Sequence, residues 1–170
     1  MKFTTHPLAG QSVAKAFPKA DRDLPLVRRL ATSLAVMTQH GDGLARTFYG
    51  LLFDRHPAVR LMFPADMANQ RAKLLQTLQW VVDHLDQPAT VLPEIAALGR
   101  RHADYGTKAE HYPVVVDLLL EAMAATAGPA WSDELRADWR SAMALLSARM
   151  IEAARAGGPP QPTPTPAAGG

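Results

Sequence analysis

Apolar residues return at intervals of three and four along most of this chain, and glycine or proline closes most of the runs so spaced. Leu26, Val27, Leu30, Leu34 and Met37 keep the spacing until His40-Gly41-Asp42-Gly43 breaks it. Side chains three and four apart share one side of a helix, so each run marks a helix with a buried face. A second run carries Leu44, Phe48, Leu51 and Leu52 up to His56-Pro57. Pro57 opens a short third helix through Val59, Met62 and Phe63. Pro64 closes it, because proline disfavours a helical conformation in the residue before it. Asp66 is placed to cap a fourth helix, whose stripe is Gln70, Leu74, Leu78, Val81 and Leu85. Pro93 is expected in the first turn of a fifth, with Ile95, Leu98, His102 and Tyr105 on its inner face. A sixth runs from about Ala109 to Ala127, ended by Gly128-Pro129, and Ser132 caps a seventh reaching about Ala156. No stretch alternates apolar and polar residues as a half-buried strand does. Seven helices joined by short links predict an all-α fold.

The helical stretch over 24–156 is the expected single domain. Residues 1–23 read as an irregular N-terminal extension. Residues 157–170, GGPPQPTPTPAAGG, read as a disordered Pro/Gly-rich tail that cannot bury enough apolar surface to order itself. With 48% apolar residues in 170, one sizeable core is within reach. Eighteen Lys and Arg against 16 acidic residues leave a charge of only +2, and Arg28-Arg29 and Arg100-Arg101 stand isolated. Phosphate recognition needs clustered positive charge, so no nucleic-acid partner is expected. The lack of cysteine excludes disulfides, thiolate metal sites and thiol nucleophiles. No apolar run approaches the ~18 residues of a membrane span, and the N-terminus lacks the apolar core of a signal peptide. A cytoplasmic protein is the expectation.

Polar residues on apolar stripes carry most of the functional information. His102 shares a stripe with Ile95, Leu98 and Tyr105, at steps of three, four and three. Such a histidine is either a core imidazole satisfied by a backbone carbonyl or a metal ligand, and one ligand suffices if a porphyrin supplies the rest. Gln70 lies one turn before Leu74 on the preceding stripe. Tyr49 lies one turn before Phe53, ring inward, and a buried hydroxyl wants a partner. Phe63 ends the short helix. His40, His56, His84 and His111 have no second ligand at a spacing that would build a multi-ligand zinc or di-iron site. Phosphate loops, nucleophile elbows and paired carboxylates on an apolar face are also absent.

Together these residues resemble the globin family, in the bacterial branch that holds flavohaemoglobin globin domains and single-domain haemoglobins. The similarity covers about residues 24–155. TFYGLLFDRHPAVRLMFP resembles that branch's second and third helices, ANQRAKLLQTL the start of its distal helix, and LGRRHADYGTKAEHYPVV its proximal helix and the segment after it. Trp139 falls in register in the last helix. The resemblance implies a globin fold around a haem b pocket, with His102 as iron ligand and Tyr112 beside it. It implies Tyr49 and Gln70 as the residues that stabilise bound dioxygen, and Phe63 and Leu74 as pocket walls. Lys73 and Arg101 are offered either to haem propionates or to solvent.

The chain departs from that pattern in three places. The link from Phe63 to Gln70 is a few residues short. Ala154 stands where flavohaemoglobins carry a glutamate beside the proximal histidine and tyrosine, and Glu152 is expected to point elsewhere. The flavin and nicotinamide reductase domains are not expected after a Pro-rich tail. The resemblance therefore implies a haem protein that binds dioxygen reversibly for transport, storage or sensing. The alternative is a nitric oxide dioxygenase that relies on a separate reductase, and a haem-free regulator is a third reading. Either a monomer or a homodimer is compatible.

Overall fold

The computed structural model describes residues 24–157. The expected extension over 1–23, and all but Gly157 of the expected tail, lie outside the described residues. Helix α1 covers Leu24–Thr38, α2 Gly43–Arg55, α3 Ala68–Asp83, α4 Pro88–Asp104, α5 His111–Ala127 and α6 Asp133–Ala156. Two 3₁₀ turns, Pro57–Met62 and Gly128–Ala130, join them, and no strand occurs among the described residues. The short third helix is thus the 3₁₀ turn that starts at Pro57, and all-α is the observed class. Helix α4 packs along α6 and α2 along α5, while α1 touches α3, α5 and α6.

Local chemistry sets several of these boundaries. Ser132 Oγ accepts the N–H of Leu135 at 3.1 Å and starts α6, and Asp66 accepts the N–H of Ala68 at 2.9 Å just ahead of α3. Helix α4 begins five residues earlier than expected, at Pro88, so Pro93 lies inside it. The fixed φ of Pro88 suits a first helical position, and the N–H groups of Thr90 and Val91 bond Gln87 O at 2.9 and 3.0 Å. Pro93 deprives only the carbonyl of Ala89, and both residues are exposed, so water can serve that carbonyl. The same helix stops at Asp104, and Gly106 turns the chain at φ 86°. Tyr105, expected on the inner face, is therefore outside it and 70% exposed.

The core is built on Trp139, Leu30, Leu34, Leu44, Leu120, Met123, Val82 and Val91. The segment His111–Ala130 is long and apolar enough to cross a membrane, with a mean hydropathy of 1.3, which corrects the expectation that no segment reaches that limit. Here that apolar face is used within the fold: Leu118, Leu119, Leu120, Ala122 and Met123 are buried. Its outer face carries Asp117, paired with Arg140, and Glu121, paired with Arg55.

Ser33 is the buried polar residue of α1. Its hydroxyl donates to Leu30 O at 2.9 Å and accepts from Trp139 Nε1 at 3.0 Å. Replacing Ser33 with alanine strands the indole N–H in an apolar core. The expected loss, read by chemical denaturation, is about 1–3 kcal/mol. A loss below roughly 0.5 kcal/mol would mean that the indole finds another partner.

Candidate functional site

The polar and aromatic residues singled out above gather into two clusters. In the first, Tyr49 on α2 is buried, and its hydroxyl accepts the Gln70 Nε2–H from the first turn of α3 at 3.1 Å. Phe63 meets the Tyr49 ring edge-on at 5.6 Å between centroids, and Phe53 lies 5.4 Å from Phe63 and 5.8 Å from Tyr49. Burial pushes the Tyr49 phenol above its ordinary value, with a small opposing effect from Gln70, so it stays protonated. Since its oxygen accepts from Gln70, its own proton remains free to donate. Leu74, one turn along α3, is half-buried against the core.

The second cluster sits at the end of α4. His102 is half-buried, with Nδ1 2.9 Å from Leu98 O. A carbonyl can only accept, so Nδ1 carries the proton and Nε2 keeps its lone pair. Burial, joined by the positive charge of Arg101, pushes the imidazole below its ordinary value despite the Leu98 bond, which keeps it neutral at pH 7. The Tyr112 ring lies 6.4 Å from the His102 ring, centroid to centroid. Its hydroxyl is buried with no partner among the described residues, and burial pushes that phenol up as well.

The remaining candidates sit apart. Lys73 is exposed on α3. Arg101 is exposed and, with Ala97, Arg100, Asp104, Ala154 and Gly157, borders a cleft of about 370 Å3. Neither makes an ion pair among the described residues. Glu152 points to solvent and pairs with Arg149 at 3.0 Å, and so does not reach Tyr112.

Periodicity alone overlooked two residues. Arg60 donates to the carbonyls of Phe63, Pro64 and Ala65 at 3.1, 2.9 and 3.2 Å, and lies 5.0 Å over the Phe53 ring. It therefore ties down the short link between the 3₁₀ turn and α3. Gly99 is the other, buried one turn before His102 where α4 meets the backbone of α6. The only sequence signals were an arginine three residues before Phe63 and a glycine in mid-helix.

Comparison with known proteins identifies the family and the fold. A flavohemoprotein of Bordetella parapertussis is 31% identical over 136 residues, covering 78% of this chain but 34% of that protein. The chain thus spans about a third of the length of the flavohemoproteins it matches. An engineered carbene transferase, made from a candidate nitric oxide dioxygenase of Rhodothermus marinus, superposes with a TM-score of 0.69 at 25% identity. That match covers 79% of this chain and 94% of the other. A bacterial globin of Campylobacter jejuni shares the fold, with a TM-score of 0.68 at 19% identity over 78% of this chain and 96% of its own. The family model described as Globin matches residues 46–150, from the helix of Tyr49 to the contact of α6 with α4, and the chain belongs to the globin family.

Proposed function

We propose that the protein binds haem through His102 and uses it to hold dioxygen reversibly. The observation that carries this reading is a neutral, half-buried imidazole whose Nδ1 is anchored to Leu98 O while Nε2 has no partner among the described residues. That donor state suits iron, because a metal needs the unprotonated nitrogen and the second hydrogen bond fixes the ring. Haem b, when bound, supplies a ferrous iron with one open position for a diatomic gas.

The chain's own residues do the rest. Phe63 and Leu74 supply apolar wall, which excludes water and strengthens any hydrogen bond formed inside. Tyr49 offers its phenolic proton to the gas, and Gln70 holds the Tyr49 oxygen in place or turns its own amide to the gas. Lys73 and Arg101 are exposed and free to meet the haem propionates. The test is the spectrum of the haem-reconstituted protein, which should shift reversibly between deoxygenated and oxygenated forms as dioxygen is removed and returned. Tyr49→Phe removes one donor and is expected to speed dioxygen release about tenfold, the equivalent of about 1.4 kcal/mol. Stopped-flow release from the two proteins decides it, and equal rates would remove Tyr49 from the mechanism.

A nitric oxide dioxygenase served by a separate reductase is the second reading, supported by the names of the flavohemoprotein and Rhodothermus marinus relatives. Reversible binding ranks first because the partner of His102 Nδ1 is an uncharged carbonyl and Ala154 brings no carboxylate to Tyr112. A less polarised imidazole gives the iron less electron density. Nitrate produced over many turnovers with a supplied reductase would reverse the ranking.

A further inference from the structure

The first turn of α3 carries Gln70, and the side-chain bond at its start is the one from the Ala68 N–H to Asp66 Oδ1 at 2.9 Å. Met67, which precedes it, makes no side-chain cap, and no acidic residue lies in the turn. Helix ends so placed tend to fray. Two bridges hold this one to α2. One is the Tyr49–Gln70 hydrogen bond. The other is ionic: Arg71 Nε donates to Asp42 Oδ2 at 2.6 Å, while Arg46 Nε donates to Asp42 Oδ1, also at 2.6 Å.

The geometry favours the ionic bridge as the stiffer of the two. Asp42 sits at the start of α2, and its carbonyl accepts the Arg46 N–H at 2.9 Å, so both its backbone and its carboxylate are fixed to that helix. The Arg71 side chain is 18% exposed, more shielded than most ion-paired arginines here, such as Arg55 at 49%. Charge-assisted bonds are stronger than neutral ones and weaken less when screened from solvent. Asp42 and Tyr49 are two turns apart along α2, yet their partners are neighbours on α3. Any rotation or fraying of that turn moves Arg71 and Gln70 together.

We propose that the Asp42–Arg71 pair is a positioning device for Gln70, setting where its amide stands relative to Tyr49 and therefore how fast the gas leaves. This rests on the reading of Gln70 given above, so the test separates the two. In the full-length, haem-reconstituted protein, Arg71→Met keeps the apolar stem and removes the charge, and Asp42→Asn removes the charge from the other side. Both are expected to speed amide exchange at residues 68–72 about tenfold while leaving α5 and α6 unchanged. Arg71→Met is expected to speed dioxygen release about fivefold in the wild-type background and not at all in a Gln70→Ala background. Unchanged exchange at 68–72 overturns the tether, as does the same acceleration with Gln70 already gone. If Gln70→Ala alone leaves release untouched, it is the role of Gln70 toward the gas that fails, and amide exchange still decides the tether.

Discussion

Haemin titrated into the His102→Ala protein is expected to yield no stable Soret band, with affinity lowered about a hundredfold or more, the equivalent of roughly 3 kcal/mol. Losing the group that merely orients a metal-bound histidine already costs about 10–100-fold in affinity, and here the ligand itself is lost. The fold should survive. His102 is half-buried in the last turn of α4, and its side-chain bond goes to a carbonyl of the same helix. Unchanged helical circular dichroism beside a lost Soret band therefore separates ligand loss from collapse. Free imidazole added to His102→Gly refills the position and should restore the band. A His102→Ala protein that keeps a five-coordinate, histidine-like ferrous spectrum would move the iron ligand elsewhere.

Gly99→Ala is expected to be the most damaging methyl added at any of the described glycines. In most helix interiors this change stabilises by about 1 kcal/mol, since alanine is the better helix former. Here the added Cβ would lie 2.3 Å from Met150 O, 2.5 Å from Met150 Cα and 2.7 Å from its carbonyl carbon. All three are backbone atoms, so no side-chain rotation relieves the clash, and α4 and α6 must move apart along their whole contact. Overpacking of a tight interior costs about 1–3 kcal/mol and occasionally more. A rigid neighbour puts this site at the upper end, so a net loss of about 3 kcal/mol and a melting temperature lower by roughly 6–12 °C are expected. Because His102 is three residues on, haem affinity should fall as well. A raised melting temperature would show that the two helices slide to make room.

How much of this was legible in the sequence depends on the range of the interaction. Helices α1, α2, α3, α5 and α6 come from local rules: apolar spacing, the Ser132 cap, and the glycines and prolines between runs. Those rules misplaced the start of α4 because two prolines, Pro88 and Pro93, could each open a helix, and spacing does not say which. Tyr105 misled for a related reason, since it kept the stripe's spacing after the helix itself had stopped. At the site, Tyr49, Gln70 and His102 stood out because each is polar where the pattern calls for an apolar residue. Arg60 and Arg71 gave no such signal, as an arginine near a helix end is ordinarily solvated. Their work depends on carbonyls and a carboxylate that only the folded chain brings near, with Arg71 and Asp42 separated by 29 residues. Gly99 was silent too, because a glycine's purpose lies in the backbone that comes against it.

The Ser33–Trp139 bond joins residues 106 apart, and beside it Arg29 grips Asp138 with bonds of 2.6 and 3.2 Å across 109. During synthesis helix α1 can meet α3 and α5 first, but its indole and carboxylate partners on α6 are not made until nearly the whole domain has been translated. Contacts so distant along the chain carry a closure entropy that local helix formation does not offset, and they form late. A nascent chain stalled before Trp139 leaves the tunnel should expose Leu30 and Leu34 to chaperones and proteases, and one released a few dozen residues later should not.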